Sequence, residues 1–232
     1  MRRMPILVPL LLCALAACGC REPAAKDVAE PDGAGFDAGE DDGGSTIGCP
    51  AGTPDLFNNS KSPSFGGSEK VDLEVVQFSW LRCPHCAALA ELERGLWQGT
   101  RPDFEKRVRV YFHHFPGSDP VSPHIHASTV AAMNQGMESF WAMHDLIFDG
   151  LLASPSHYYE TDELRDFAQN ELGLDMDKYD ADMADPATLE LINWDKGQAE
   201  AQDVESTPAI FVCGKRIAAS ELEKIVDGYL GD

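Results

Sequence analysis

The sequence predicts an α/β fold interrupted by a helical insertion, and three observations carry that expectation. A β-rich apolar run passes through Cys83-Pro84-His85-Cys86 into an amphipathic helix. A long stretch from about 117 to 203 carries helical patterns. The β pattern then returns at Ala209–Val212, turns at Cys213-Gly214-Lys215, and gives way to a last helix.

In chain order, Arg2 and Arg3 precede an apolar stretch, Ile6 to Ala14, too short to span a bilayer as a helix. Leu15-Ala16-Ala17-Cys18 resembles a bacterial lipobox. Residues 1–17 are therefore expected to be a lipoprotein signal peptide, with Cys18 lipidated; an ordinary signal peptide cut nearby is the alternative. Arg2-Arg3 alone is a weak twin-arginine signal. Residues 18–62 read as an acidic Gly/Asp-rich tether and lead-in. Between Arg21 and Gly48 lie eight acidic residues, six glycines and one aromatic, Phe36. Nothing there offsets the entropy of ordering it, and a flexible coil of that length spans about 30 Å.

The folded domain is expected over 63–232. Val75, Val76, Phe78 and Trp80 form the first sure strand. Leu89, Leu92, Leu96 and Trp97 then recur at helical spacing, with Glu91, Glu93 and Arg94 on the opposite face. Arg107 to Phe115 is a second strand, ended by Pro116-Gly117. The insertion follows, with helices over Pro123–Gln135 and Glu138–Phe148. Another runs from an N-cap at Thr161 to near Gly173, and one opens at Asp185-Pro186 and ends about Gln202. After the hairpin, Ser220-x-x-Glu223 reads as a capping box for a helix burying Leu222, Ile225, Val226 and Tyr229.

Lys and Arg number 18 against 39 Asp and Glu, a net charge of −21 that becomes more negative once Arg2 and Arg3 are removed. Such a chain repels phosphate backbones and anionic lipid, so nucleic acid is not an expected partner. Membrane attachment would rest on the lipid at Cys18. Seven cysteines are present. In an oxidising compartment Cys49 and Cys213 are candidates for a structural disulfide, a pairing that spacing leaves open, with Cys20 left over.

Cys83 and Cys86 carry the chemistry. They sit at a helix N-terminus, where unpaired N–H groups and the helix dipole favour a thiolate. Thiol–disulfide exchange needs that thiolate both to attack and to leave. Metal binding is the rival reading. Tetrahedral zinc takes four ligands, and no second CxxC exists. His113-His114 and His124-x-His126 are the only additional candidates. Adjacent strand histidines point to opposite faces, so one of the first pair should pack and the other meet solvent. His144 reads as a core histidine among Phe140, Trp141 and Phe148.

Strand-CPHC-helix, Thr207-Pro208 before the last hairpin, and Phe140-Trp141-x-x-His144-x-x-x-Phe148 together resemble the DsbA-like thiol–disulfide oxidoreductases. The resemblance runs from about Pro63 to Leu230 and implies a thioredoxin fold with an inserted helical domain. It further implies that Cys83 is the exposed nucleophile, Cys86 the buried resolving thiol, and Pro84 and His85 the residues tuning them. Pro208 would be the cis-proline beside Thr207, whose loop receives an extended substrate segment. No cofactor or metal is implied beyond the redox-active disulfide. The implied partners are reduced exported proteins and a membrane redox partner, and the implied state is a monomer. Relatives commonly carry an acidic residue six positions before the first cysteine, where this chain has Gln77. That departure predicts a slower proton step at Cys86, with water or Glu74 substituting.

Three functions follow. A dithiol oxidase donating its disulfide to exported proteins is preferred, on the histidine inside the motif. A reductase or isomerase is the second, supported by Thr207 but lacking the isomerase's dimerisation domain. A redox-inert lipoprotein binding peptides or metal is the third. The expected location is the bacterial envelope, facing the periplasm, with Gly19 after the lipid cysteine favouring the outer membrane.

Overall fold

A computed structural model of the chain describes residues 49, 57–67, 71–101, 103–117 and 122–231. Cys18, Cys20 and the expected signal and tether regions lie outside the described residues. Among those described, five strands form one sheet: β1 (Ser64–Gly66), β2 (Leu73–Ser79), β3 (Val108–His114), β4 (Ala209–Val212) and β5 (Lys215–Ile217), in the order β1-β3-β2-β4-β5. Only β2 and β3 run parallel. A parallel pair needs a crossover, which helix α1 (Pro84–Gly95) begins. β4 and β5 need only a tight turn. Cys213 and Gly214 take φ of 49° and 70° there, the two positive values of a turn matched to strand twist.

β2 is central and is buried at every position except Glu74, which explains its near-continuous apolar run. Gln77 pairs with Phe112 on β3 and shares its face. Helices α3 (Ser122–Met133) and α4 (Met137–Ala153) pack against each other, and α4 packs on α1. Their core on that side contains Leu81, Cys86, Ala87, Phe112, Phe140, Met143, Phe148 and Tyr159. On the opposite side Val76, Phe78 and Phe211 meet Phe57 and Ala199. The latter belongs to helix α7 (Pro186–Glu200), as α5 (Thr161–Asp166) and α6 (Met176–Ala184) belong to the insertion. Helix α2 (Phe104–Arg107) leads into β3, and α8 (Leu222–Leu230) closes the chain.

Several expectations need correction. Within the expected lead-in, Phe57 belongs to the core and Ser62 is buried. Phe57 is 4 % exposed, 5.4 Å from the Phe78 ring and 4.9 Å from that of Phe211, a burial that contributes about 1.5–3 kcal/mol. The segment before β2 contains a true strand, β1. It ends at Gly66, whose positive φ and closeness to the Val108 carbonyl leave no place for a Cβ. Helix α6, capped by Asp175 on the Lys178 N–H, had no counterpart in the expected elements. Glu160 rather than Thr161 occupies the N-cap position of α5, and its side chain makes no capping hydrogen bond. The final helix opens through a short 3-10 turn, in which the Ala218 N–H donates to Glu221 at 2.8 Å; Ser220 and Glu223 form no such box. Asp185, by contrast, does cap α7, accepting from the Ala187 N–H at 2.9 Å, with Pro186 next to it.

Candidate active site

Cys83 is the N-cap of α1, and Pro84, which has no N–H to leave unpaired, occupies its first turn. The Cys83 N–H donates to the Trp80 carbonyl at 2.9 Å, and its own carbonyl accepts from Ala87 at 3.1 Å. The strand end thus folds directly into the helix with both cysteines in its opening turn. Both are free thiols. The Thr207–Pro208 bond is cis, and the Cys83 thiol donates to the Thr207 carbonyl at 3.5 Å. Sequence reasoning grouped Cys83, Cys86, Thr207 and Pro208, and the structure puts Cys83 against the Thr207–Pro208 loop with Cys86 in the same helix turn. The same reasoning overestimated the openness of the nucleophile: Cys83 is 6 % exposed and Cys86 1 %.

The two thiols are driven apart electrostatically. Cys83 is lowered to about 5, chiefly by the hydrogen bond from the Cys86 thiol. Burial opposes this, while the backbone N–H groups of Cys86 and His85 and the Thr207 side chain assist. Cys86 is pushed far above the thiol range by burial first and by Cys83 second. The help from His85 comes through its backbone N–H. Its exposed ring instead borders a groove of about 510 Å3 with Ala88, Leu89, Leu92, Thr207 and Pro208. The groove walls are largely apolar, and they run beside the nucleophile.

Gln77 and Glu74 lie on opposite faces of β2, one buried and one exposed. Glu74 is exposed and receives the Tyr111 hydroxyl at 3.4 Å. Gln77, 2 % exposed, hydrogen-bonds instead to Glu93 of α1. Glu93 is not on a solvent face: it is 3 % exposed, and burial pushes it up to about 8, with the Gln77 bond opposing and the Asp145 charge adding. The helical phase held that signal, since Cys86, Ala90 and Glu93 recur at i, i+4 and i+7.

His113, His114, His124 and His126 each make a hydrogen bond inside the domain. His113 and His114 are both fully buried, against the expectation that one meets water. His113 Nδ1 donates to Asp195 at 2.7 Å, and the other Asp195 oxygen accepts the His114 backbone N–H at 2.7 Å. His126 Nε2 accepts the Leu81 N–H at 3.4 Å, so its Nδ1 carries the hydrogen and donates to His114 Nδ1 at 2.9 Å. Burial holds both of these rings down to about 3, keeping them neutral. His124 Nε2 donates to the Tyr159 carbonyl at 3.0 Å. Among the described residues no group of three or more His, Cys, Asp or Glu is placed to hold a metal ion. Cys49 and Cys213 form a disulfide closing 164 residues, a loop whose constraint stabilises by about 5 kcal/mol.

A dithiol helix end facing a cis-proline loop, on a mixed sheet with helices added between β3 and β4, is a thioredoxin-like arrangement. The thioredoxin family model matches residues 59–228, and the chain belongs to that family. It is 32 % identical over 164 residues to the Na(+)/H(+) antiporter NhaA of Herminiimonas arsenicoxydans, covering 71 % of this chain and 24 % of the antiporter. The chain thus spans about a quarter of that relative's length. It is 23 % identical over 168 residues to the probable disulfide bond formation protein D of Bacillus cereus, covering 69 % and 74 %. The thiol-disulfide exchange protein alpha-DsbA2 of Wolbachia pipientis shares the fold, with a TM-score of 0.62 at 19 % identity over 75 % of this chain and 89 % of that one.

Proposed function

We propose that the protein is a thiol–disulfide oxidoreductase of the bacterial cell envelope, working as a dithiol oxidase that donates the Cys83–Cys86 disulfide to exported proteins. The observation that carries this is the opposed behaviour of the two sulfurs. A Cys83 thiolate stabilised to a pKa of about 5 makes the reduced pair the comfortable state, so the disulfide is readily given away. A substrate thiolate attacks Cys83 Sγ, the Cys83–Cys86 bond breaks, and Cys86 leaves and takes a proton. A second substrate thiolate then attacks the substrate sulfur, forming the substrate disulfide and releasing the Cys83 thiolate.

Pro84 sets the helix start, and His85 supplies an N–H to the thiolate and an exposed ring at the groove. Thr207 and Pro208 border the groove as the substrate-binding loop. An extended peptide of a reduced exported protein suits that apolar channel. Reoxidation requires an electron acceptor, assigned to a membrane redox partner. No described helix is long and apolar enough to cross a membrane. The proposal places the anchor at lipidated Cys18, with the outer membrane preferred, and the protein acts as a monomer without nucleic acid or metal. Equilibration with glutathione tests the direction of exchange. A reduction potential above about −200 mV supports donation, and one near −270 mV supports the reductase reading instead.

A further inference from the structure

Cys83 stands at the end of a tight turn, and the helical insertion grips that turn at two successive residues. The bond from the Cys83 N–H to the Trp80 carbonyl closes the turn and puts Leu81 and Arg82 at its corner. This bond leaves the Leu81 N–H unused. Leu81 is fully buried, where an N–H without an acceptor is costly. His126 Nε2 of α3 accepts it at 3.4 Å. At the next residue the Arg82 guanidinium lies over the Tyr158 ring, 4.9 Å from its centroid. Tyr158 belongs to the segment joining α4 to α5. His126 can accept at Nε2 only in one neutral tautomer. Its Nδ1–H donates to His114 Nδ1 at 2.9 Å, which fixes that tautomer and leaves Nε2 bare. Both rings are fully buried. Asp195 takes the His114 backbone N–H and not its ring, so it does not set the tautomer.

We propose that His126, fixed as the Nδ1–H tautomer by His114, is a positioning residue for the dithiol: it holds the Trp80–Cys83 turn so that Cys83 Sγ meets the N–H groups that open α1. The proposal rests on the oxidoreductase reading and adds the residues that aim its nucleophile. His126 acts through Leu81 and not on substrate, and Tyr158 beneath Arg82 supplies a second, weaker hold. The position of the sulfur matters because its thiolate is stabilised by directional bonds, from the Cys86 thiol, the N–H groups of Cys86 and His85, and Thr207. Such bonds weaken steeply with distance and angle. A turn released at Leu81 lets Cys83 drift from all of them together. A histidine suits this task only if it stays uncharged, since a proton on Nε2 would set a donor against the Leu81 N–H. Burial holds the His126 pKa down to about 3, below the value of about 5 at which Cys83 titrates. The hold therefore persists while the thiolate forms.

The test follows two readouts on the full-length protein: the rate of Cys83 alkylation by iodoacetamide against pH, and the equilibrium of the pair with glutathione. His126→Leu removes the acceptor at similar volume, whereas His126→Gln returns an accepting oxygen close to the place of Nε2. His126→Leu should raise the Cys83 pKa by about one unit, so that thiolate and alkylation near pH 4 fall about 10-fold. The glutathione equilibrium should move by about the same factor toward the protein disulfide, because the reduced form has lost stabilisation. His126→Gln should recover most of both, and Tyr158→Ala should shift both the same way by less. A His126→Leu protein that is less stable but keeps the wild-type titration and equilibrium has lost only packing, and overturns the proposal. A His126→Gln protein shifted as far as His126→Leu overturns it too, since the accepting atom would then be irrelevant. Should His126→Leu fail to fold, wild type decides. Nitrogen-15 spectra should place the His126 hydrogen on Nδ1, with a coupling across the hydrogen bond from Nε2 to the Leu81 amide; a hydrogen on Nε2 overturns the proposal. A wild-type pair that does not equilibrate with glutathione overturns the oxidoreductase reading instead, and the alkylation profiles still judge the turn.

Discussion

Two of the carboxylates buried among the described residues, Asp195 and Glu93, lie on opposite sides of one sheet and are treated in opposite ways. Asp195 of α7 has both oxygens filled, one by the His113 ring and one by the His114 backbone N–H, each at 2.7 Å. Glu93 of α1 has one oxygen bonded by Gln77 and one left facing a cavity. A buried acid with every acceptor site used is a brace, because moving its proton would break what it holds. A buried acid with half its capacity open carries its proton at neutral pH. The difference teaches that partners, and not burial alone, separate a carboxylate that braces its neighbours from one that holds a proton.

Removing the brace should produce the largest effect. Asp195→Ala leaves His113 Nδ1 and the His114 backbone N–H buried without their Asp195 partners, and should cost about 3–5 kcal/mol in urea unfolding. The pH dependence of Cys83 alkylation should stay put. A loss below about 1 kcal/mol would mean the two sides of the sheet do not differ as described.

The pH dependence of stability should sharpen the contrast at a smaller scale. Folding raises Glu93 from 4.5 to about 8. Between those values the folded state holds a proton the unfolded state has lost, so this contribution is complete below 4.5 and fades as pH climbs toward 8. The slope is at most about 1.4 kcal/mol per pH unit. Folding lowers Cys83 from 9.0 to about 5, which gives the opposite sign: the reduced protein gains stability as pH rises from 5 to 9. In the disulfide form Cys83 does not titrate, and Glu93 acts alone. The wild-type stability measured against Glu93→Gln should therefore fall with pH in the oxidised protein. In the reduced wild type the falling Glu93 and rising Cys83 slopes should nearly cancel between about 5 and 8. Parallel oxidised wild-type and Glu93→Gln curves would place Glu93 in the same class as Asp195.

The sequence disclosed the sheet and the dithiol end well, because β2, α1 and β4 are written in local signals: apolar runs, a helical period, a motif at a turn. It disclosed the buried acids poorly. Glu93 sits between leucines in a pattern that looks two-faced, and charge alone argued for solvent; only the phase shared with Cys86 and Ala90 pointed inward. Asp195 sits 81 and 82 residues from its partners His114 and His113, and no local pattern reports a hydrogen bond over that separation. β1 was missed for a related reason. Three residues make too short a period to read, and Ser64–Gly66 is a strand because β3 offers it an edge.

Asp145 gives the smallest and most selective test of the contrast. Its side chain is 41 % exposed and lies 3.8 Å from Arg94, so Asp145→Asn should change stability by no more than about 0.5 kcal/mol near neutral pH. Its charge, however, is one of the influences that raise Glu93. Removing that charge makes ionising Glu93 easier, so its pKa moves down from about 8 toward the ordinary carboxylate range. In the oxidised protein the falling limb of the stability curve should then end at lower pH, with its lower end unchanged, because the unfolded chain does not sense this neighbour. An upper end that stays in place would mean that Asp145 and Glu93 are screened from one another. The acid would then owe its raised pKa to burial alone.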